Sequence, residues 1–283
     1  MIRATTCSLL CGFLIGCSVP DEPAARYPEN SAISKPSGVP CDSATSYFPA
    51  SAELERVESA DTGRTMLALN QADCIAMRKR ASQTLCAFNA PLLSKQFMGH
   101  SIYRLLYLRS FHRPALLTLD CTPQGGTLKT QFLNKPPDWI ASATELAADT
   151  RAAIRSLHEI QNRIRTGKAS PGDAERLENA KYRFVQLELI KSPIIITDQK
   201  TVHLSQAQVQ RFKELLAEAT FWQLLGCKAT LYFDGADYIL ESHEAERYHM
   251  VKRQSPNKRS GFARCCSFLL DRSSFDFKAD KSF

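Results

Sequence analysis

The chain has 283 residues, of which 44% are hydrophobic and 23% are charged, and its formal net charge is +7. This composition is typical of a globular protein, and the length allows one large domain or two small ones. The positive charge is spread over the chain, and no RNP-like, zinc-finger or helix-turn-helix signature accompanies it. We therefore expect no nucleic-acid binding.

The first 16 residues have the pattern of a lipoprotein signal peptide. A short positive segment precedes the uncharged, mostly apolar run Ala4–Gly16, which is too short to span a bilayer as a helix of about 20 residues. The run ends in the motif LIGC, which resembles the lipobox of bacterial lipoproteins. The resemblance implies that Cys17 is lipidated and that Ser18, where an aspartate would retain the protein in the inner membrane, favours the outer membrane facing the periplasm. The alternatives are a signal without lipidation and a buried start of the fold.

Residues 17–40 are predicted to form the lipidated cysteine and a flexible tether. Residues 18–40 contain five prolines among small and polar residues, a composition that buries too little apolar surface to fold. Fully stretched, this tether reaches about 75 Å. Several acyl chains on Cys17 would hold it firmly, because each buried methylene adds about 0.8 kcal/mol. We expect residues 41–283 to form a single α+β domain at its end.

Seven cysteines remain after processing and lipidation: Cys41, Cys74, Cys86, Cys121, Cys227, Cys265 and Cys266. Disulfides are expected in an exported protein, and an odd count leaves at least one thiol free or paired between molecules. If residues 70–88 form one helix, Cys74 and Cys86 lie about 18 Å apart, beyond bridging range. Cys265 and Cys266 fall on an apolar run without zinc-finger spacing, so burial or a disulfide is favoured over a metal, and no cofactor is predicted.

The first half of the domain predicts a helix and three strands. Residues 66–88 place apolar or small side chains three or four positions apart, which indicates a helix face. Basic residues 78–80 (Arg-Lys-Arg) come together on this helix, either as a solvated face or as a phosphate or lipid site. The strands are Ile102–Phe111, which is apolar on both faces and therefore central, Ala115–Cys121 and Thr127–Leu133. A buried Arg109 on the first strand would need a carboxylate partner.

Residues 138–191 predict two antiparallel helices, an αα-hairpin inserted into an antiparallel sheet. Apolar residues from Leu146 to Ile164 alternate by four and three positions. Gly167 is placed as a helix C-cap, and Ser170 is placed as the N-cap of the second helix, followed by a first-turn proline. The two apolar seams are expected to pair with each other.

The last third predicts strand material at 193–196 and 201–203, then a helix, a β-hairpin and a closing helix. Ser205 caps the helix Gln206–Ala219 with a capping box, and the closing helix covers Phe262–Leu270. The β-hairpin joins strands Ala236–Glu241 and Arg247–Arg253 through a three-residue turn, residues 244–246. In that register Asp237, Ile239 and Glu241 oppose Arg253, Val251 and His249 on one face.

Three segments carry a resemblance to a known family. Tyr103–Pro114 reads YRLLYLRSFHRP, Leu204–Trp222 is a helix ending in FW, and Asp234–Pro256 reads DGADYILESHEAERYHMVKRQSP. They resemble a family of uncharacterised bacterial proteins, often lipoproteins, with the patterns YRFLWLRTFHRP, FWxLP and DGAxWxLEGxxxGxYHxVxRWSP. The matching positions are Tyr103, Arg104, Leu108, Arg109, Phe111, His112, Pro114, Phe221, Trp222, Asp234, Gly235, Glu241, Tyr248, His249, Arg253, Ser255 and Pro256. The resemblance implies no activity, because none is known for the family.

The chain departs from these patterns in several places. The turn glycines are replaced within Ser242–Glu246, Tyr238 stands for an aromatic tryptophan, and Gln254 replaces the tryptophan of RWSP. The helical hairpin at 138–191 is absent from the pattern. The resemblance therefore covers roughly residues 97–133 and 200–271.

One constellation of polar residues is a candidate site: Arg109, His112, Asp237, Glu241, His249 and Arg253. If the matching strands are neighbours, His249 beside Glu241 could act as a general base, with His112 as a further catalytic candidate. The alternative is a polar network of Arg109, Asp237 and Arg253 that fixes strand register, with Glu241 satisfying Arg109 or His249. No nucleophile elbow, phosphate loop or metal motif accompanies these residues.

Three functional hypotheses follow. The first is a non-enzymatic, membrane-anchored envelope lipoprotein that binds a protein or envelope partner, one version being an immunity or inhibitor protein. The second is a periplasmic hydrolase-type enzyme that uses His249 and Glu241 in a concave pocket. The third is a structural role at the membrane or cell wall through five basic residues: Lys252, Arg253, Lys258, Arg259 and Arg264.

Overall fold

The structure is a computed structural model that describes residues 37–40, 42, 44–49, 64–95, 97–110, 112–137, 143–228 and 235–277. The predicted signal peptide, the lipidation site Cys17, most of the tether and Cys41 lie outside the described residues. Within them the chain is α+β, as predicted: an antiparallel six-stranded sheet is packed by helices.

Five helices and six strands follow one another along the described chain. The strands are β1 (Ile102–Arg109), β2 (Ala115–Thr122), β3 (Gly125–Leu133), β4 (Ile196–Ser205), β5 (Ala236–Glu244) and β6 (Arg247–Gln254). The helices are α1 (Arg64–Ala87), α2 (Ala143–Arg165), α3 (Asp173–Lys191), α4 (Gln206–Glu218) and α5 (Gly261–Arg272).

The sheet has the order β4-β3-β2-β1-β5-β6, and every neighbouring pair of strands is antiparallel. Strand β1 is central, and its residues are buried on both faces as far as Leu106. This confirms the position that its continuous apolar sequence predicts, because a strand covered on both sides cannot alternate apolar and polar residues.

Two hydrophobic cores lie on the two faces of the sheet. Helices α4 and α5 cover one face, where the buried Phe212 and Phe221 pack against Tyr103 and Leu105. Helix α1 covers the other face together with Tyr47 and Phe48. The predicted capping box of α4 is present. The Ser205 hydroxyl accepts from the backbone amide of Gln208, and the Gln208 side chain accepts from the backbone amide of Ser205.

A disulfide joins Cys74 on α1 to Cys227, which forms a backbone bridge with Lys252 on β6. Cys74 is therefore not paired with Cys86, in agreement with the helix geometry. Cys86 is half-buried and free. Adjacent Cys265 and Cys266 are buried thiols in α5. Burial raises the pKa of Cys265 to about 12, so this thiol stays protonated.

The helical hairpin α2–α3 replaces a turn between two neighbouring strands. Strands β3 and β4 pair directly with each other, and Leu133 and Ile196 form the pair nearest the hairpin. Gly167 ends α2 with the positive φ of 67° that a C-cap needs. The predicted N-cap is wrong, because α3 begins at Asp173, and the backbone amide of Ser170 instead donates to the Asp173 carboxylate.

The predicted register of the β5–β6 hairpin is also wrong. The strands reach to Glu244 and Arg247, which pair with each other, so the turn contains two residues instead of three. Shortening the turn by one residue shifts every pair by one position. Glu241 therefore opposes Met250, and His249 opposes Ser242.

Candidate functional site

A buried ion pair lies at the centre of the sheet, between strands β1 and β5. Arg104 and Glu241 oppose each other directly, and both are 0% exposed. The guanidinium donates from Nε to Oε2 at 2.6 Å and from Nη2 to Oε1 at 2.9 Å. The hydroxyl of Tyr248 on β6 donates to the same carboxylate at 2.8 Å. Removed from water, these charges are compensated by each other.

Arg104, His243 and Tyr47 hold a non-helical segment, described at residues 90–95 and 97–98, against the sheet. Arg104 Nη1 donates to the carbonyl of Pro91 at 2.7 Å, and His243 Nδ1 donates to that of Leu93 at 2.8 Å. The Tyr47 hydroxyl donates to the backbone carbonyl of residue 90 at 2.7 Å. The buried carbonyls of an irregular segment need such donors. The need for these donors explains why charged residues occur in this core. We call Arg104, Glu241, Tyr248 and His243 the central cluster.

His243 is neutral in this arrangement. Its Nδ1 donates, while its Nε2 accepts from the backbone amide of Met98 at 3.1 Å, so one ring nitrogen carries the proton. Burial lowers the pKa of His243 below its ordinary value, although the Leu93 carbonyl opposes this effect. The ring of Phe97 stacks on the imidazole at 5.4 Å.

The two principal catalytic candidates, His249 and Glu241, lie on opposite faces of the sheet. His249 donates from Nε2 to the carbonyl of Leu224 at 2.8 Å and contacts the ring of Phe221 at 5.3 Å. Glu241 faces α1 with Arg104. Because neighbouring residues of a strand alternate between faces, the corrected register separates the two side chains. The predicted acid–base pair of His249 and Glu241 is not formed.

The remaining predicted site residues are also dispersed. Half-buried Arg109 donates to the carbonyl of Phe277 at 2.7 Å and lies over the ring of Tyr107, with its carbon Cζ 5.5 Å from the ring centroid. The arginine that satisfies Glu241 is therefore Arg104, not Arg109. His112 follows β1, and its backbone amide donates to the carbonyl of Arg109 at 3.3 Å.

Lys252 is buried at 2% exposure, with its Nζ 3.2 Å from Asp237 and 3.8 Å from Asp73. It is therefore unavailable for an electrostatic contact with a membrane. Arg264, another residue of the predicted basic surface, forms an ion pair with Glu218 at 2.7 Å. Residues 258, 259 and 264 are exposed, whereas Lys252 is buried and Arg253 is half-buried. The five residues therefore do not form one exposed basic surface, and that prediction is wrong.

Arg253, a predicted site residue, lines a cavity. The cavity has a volume of about 370 Å³ and lies between the end of β6 and the start of α5, with Lys228 and Asn257 in its wall. Arg253 donates to the carbonyl of Leu225 at 2.9 Å, and burial lowers its pKa. Such a lining can hold an anion or a carbonyl group, and none of its described residues supplies a carboxylate or imidazole for proton transfer.

Glu241 is a predicted site residue, but its partners Arg104 and Tyr248 and the nearby His243 are not. Arg104 and Tyr248 match the family patterns quoted above, but their contacts depend on which strands are neighbours. His243 lies outside the matched positions. No sequence signal distinguishes these buried groups from exposed ones, because β1 and β5 are covered on both faces.

No group of three or more His, Cys, Asp or Glu side chains within the described ranges is arranged to hold a metal ion. No described helix combines the length and apolar character needed to cross a bilayer. Comparison of the chain with protein-family models, with curated proteins and with solved structures finds no match.

Proposed function

We propose that the protein is a lipid-anchored lipoprotein of the bacterial cell envelope whose α+β domain binds a protein partner without catalysis. The apolar surface of the α2–α3 hairpin and its exit carries this proposal. The lipobox-like motif at Cys17 supports the anchor, and the separation of His249 from Glu241 removes the main argument for a hydrolase.

Exposed large hydrophobic side chains concentrate on the hairpin. Of the nine in the described part of the chain, six lie within residues 154–196, and Tyr182 and Val185 are 58% and 60% exposed. These two residues are three positions apart on α3, so they occupy one helix face. Ile195 is 51% exposed where the chain leaves the hairpin. Clustered exposed apolar residues are typical of protein contact surfaces.

The hairpin also displays a basic stripe. Arg151, Arg155, His158 and Arg165 on α2 are all exposed, and their spacings of 4, 3 and 7 place them on one helix face. Among the residues the structure describes, none of the four forms an ion pair with a carboxylate. We infer that the partner presents an apolar surface with acidic residues nearby, because such a surface complements both features.

The inserted position of the hairpin suits this role. A helix pair that replaces a β-turn can vary without changing the sheet that supports it. An immunity or inhibitor protein is one version of the proposal. Cys86, a half-buried thiol outside the disulfide, is a second candidate for contact with the partner.

The proposal is tested by crosslinking full-length protein in intact cells and recovering it from detergent under non-reducing conditions. We expect one stoichiometric protein partner with wild type, and loss of that partner with Tyr182→Ser/Val185→Ser. The matched control is Leu225→Ser, which removes an exposed apolar side chain that lies outside the hairpin. Equal recovery by the hairpin variant and the control would contradict the proposed surface.

The anchor is tested separately by Cys17→Ala. We expect this variant to leave the membrane fraction, because the thioether-linked acyl chains can no longer form. Continued attachment of Cys17→Ala in washed membranes would overturn the lipoprotein assignment, whatever the result with the partner.

A further inference from the structure

An open groove of about 610 Å³ lies between helix α1 and the segment 44–48. This volume is in the range of small-molecule sites. Three cationic side chains line the groove: Arg78 and Lys79 from α1, and Lys95 from the segment after it. None of the described residues in its lining is acidic. The groove is separate from the α2–α3 hairpin and from the central ion pair.

The α1 wall of the groove follows from helix periodicity. Ile75, Arg78, Lys79 and Ser82 share one helix face, because their spacings are 3, 1 and 3. Arg80 is exposed and belongs to the same run of basic residues, but it does not line the groove. Two of the three consecutive basic residues therefore converge with Lys95. The sequence alone does not distinguish this arrangement from a solvated face.

The facing wall is held rigidly. Tyr47 is fully buried, and its backbone amide donates to Ser82 Oγ at 3.1 Å. Ser94 Oγ donates to the Tyr47 carbonyl at 2.7 Å, and the Ala44 amide donates to Asp42 at 2.8 Å. A wall fixed by such contacts loses little entropy when a ligand binds.

The remaining lining residues supply hydroxyl groups and one apolar contact. The side chains of Thr45 and Ser46 lie in the segment wall, and Ile75, 50% exposed, lies beside the cations. Both hydroxyls already donate within the segment, Thr45 Oγ1 to Asp42 at 3.1 Å and Ser46 Oγ to the carbonyl of residue 48 at 2.9 Å. The cations are therefore the groups that recognise an anion, and Ile75 contacts the uncharged part of a ligand. The combination fits a small anion with an organic body.

We propose that this groove binds the phosphate group of a phosphate monoester. A phosphate monoester carries up to two negative charges, which three cations can compensate, and its oxygens accept from a guanidinium fork and from two ammonium groups. The same headgroup chemistry occurs in a soluble phosphorylated metabolite and in a phospholipid. The groove recognises the phosphate in either case.

The test uses isothermal titration calorimetry on the full-length protein in neutral detergent, with glycerol 3-phosphate as the probe. We expect saturable binding that weakens about tenfold or more in Arg78→Gln, because one charge-assisted contact is lost. The matched control, Arg80→Gln, removes the same charge two residues away and should change the affinity less than about twofold. A short-chain phosphatidic acid then separates the sources: tighter binding than glycerol 3-phosphate indicates a lipid, and equal binding indicates a soluble ligand.

Three results would overturn the proposal. The first is no binding at about 10 mM probe, and the second is equal weakening by Arg78→Gln and Arg80→Gln. The third is binding that appears only after the four carboxylates of residues 51–63 are neutralised, since these precede α1 in the sequence. In that case the groove would be the binding site of the chain's own acidic segment, residues 51–63. Circular dichroism of each variant verifies that it is folded.

Discussion

Arg104 and Glu241 stand directly opposite each other on the adjacent strands β1 and β5, and two hydrogen bonds of 2.6 and 2.9 Å join them. Each side chain has further partners: Tyr248 donates to the carboxylate, and the guanidinium donates to the Pro91 carbonyl. A pair of this kind joins three parts of the fold. Its removal should therefore affect more than one contact.

We expect Glu241→Ala to lower the free energy of unfolding by about 3–5 kcal/mol, because it leaves the Arg104 charge buried without compensation. Replacing both residues, with Arg104→Met and Glu241→Leu, should be clearly less destabilising than the sum of the two single changes. Denaturant unfolding of Arg104→Met, Glu241→Leu and the double variant measures this coupling. Additive effects would show that the pair does not act as a unit.

The Cys74–Cys227 disulfide closes a loop with a sequence separation of 153 residues. Chain-entropy arguments assign about 5 kcal/mol to a loop of this length, an upper value because the reduced chain is not a random coil. Reduction should lower the unfolding midpoint of wild type. The double variant Cys74→Ser/Cys227→Ser should start lower and be insensitive to the reductant. A wild-type midpoint that does not respond to reduction would mean that the bond is absent or contributes nothing.

His243 makes stability depend on pH in a predictable direction. Because burial lowers its pKa, the unfolded chain binds a proton more readily between the lowered value and about 6.5. The contribution of neutral His243 to the free energy of unfolding is therefore fully present above about pH 6.5 and is lost as the pH drops through that window. His243→Asn retains a donor for the Leu93 carbonyl but does not titrate, so its stability should change less with pH.

The control for this pH effect is His158→Asn, which removes an exposed imidazole on α2. Unfolding free energies at several pH values between about 5 and 7.5 compare the two variants with wild type. A wild-type slope that persists in His243→Asn would assign the pH dependence to other groups.

Asp173 stabilises the turn between helices α2 and α3. It is 1% exposed and accepts from Arg163 at 3.0 and 3.1 Å and from the Ser170 amide at 3.0 Å. The Arg163 hydrogen bonds hold the pKa of Asp173 well below its ordinary value. A lowered pKa means that this contribution is present above about pH 4 and is lost only as the pH falls through the folded-state value.

We expect Asp173→Asn to speed amide hydrogen exchange in α2 and α3 at neutral pH while leaving the sheet protected. Glu178→Gln, which removes an exposed partner of Lys181 on the same helix, is the matched control and should have little effect. Exchange that is unchanged in Asp173→Asn would show that the hydrogen bonds of Asp173 do not stabilise the hairpin.

Much of the fold could be predicted because local patterns determine it. The continuous apolar run of β1 indicated a central strand, and the spacing of apolar residues indicated both helices of the insertion and α4 with its cap. These signals depend only on residues close together in sequence.

The site could not be predicted in the same way, because it depends on register and depth. A turn one residue shorter than expected moved His249 away from Glu241. Arg104 and Arg109 lie on the same apolar strand, yet Arg104 is fully buried and Arg109 is half-buried near the strand end. Arg104 faces α1 and the segment after it, whereas Arg109 lies on the opposite face beside Phe277. The packing of both faces therefore decides how far each arginine is covered.

The pairing of Leu133 with Ile196 has a consequence for how the chain folds. These residues are neighbours in the sheet, although all of residues 134–195 lie between them. An antiparallel helix pair brings its own first and last residues close together, so formation of α2–α3 shortens the effective loop to roughly a quarter and lowers its closure entropy cost by about 1 kcal/mol. We expect β4 to join the sheet after the helices form, so that the insertion guides the addition of the edge strand during folding.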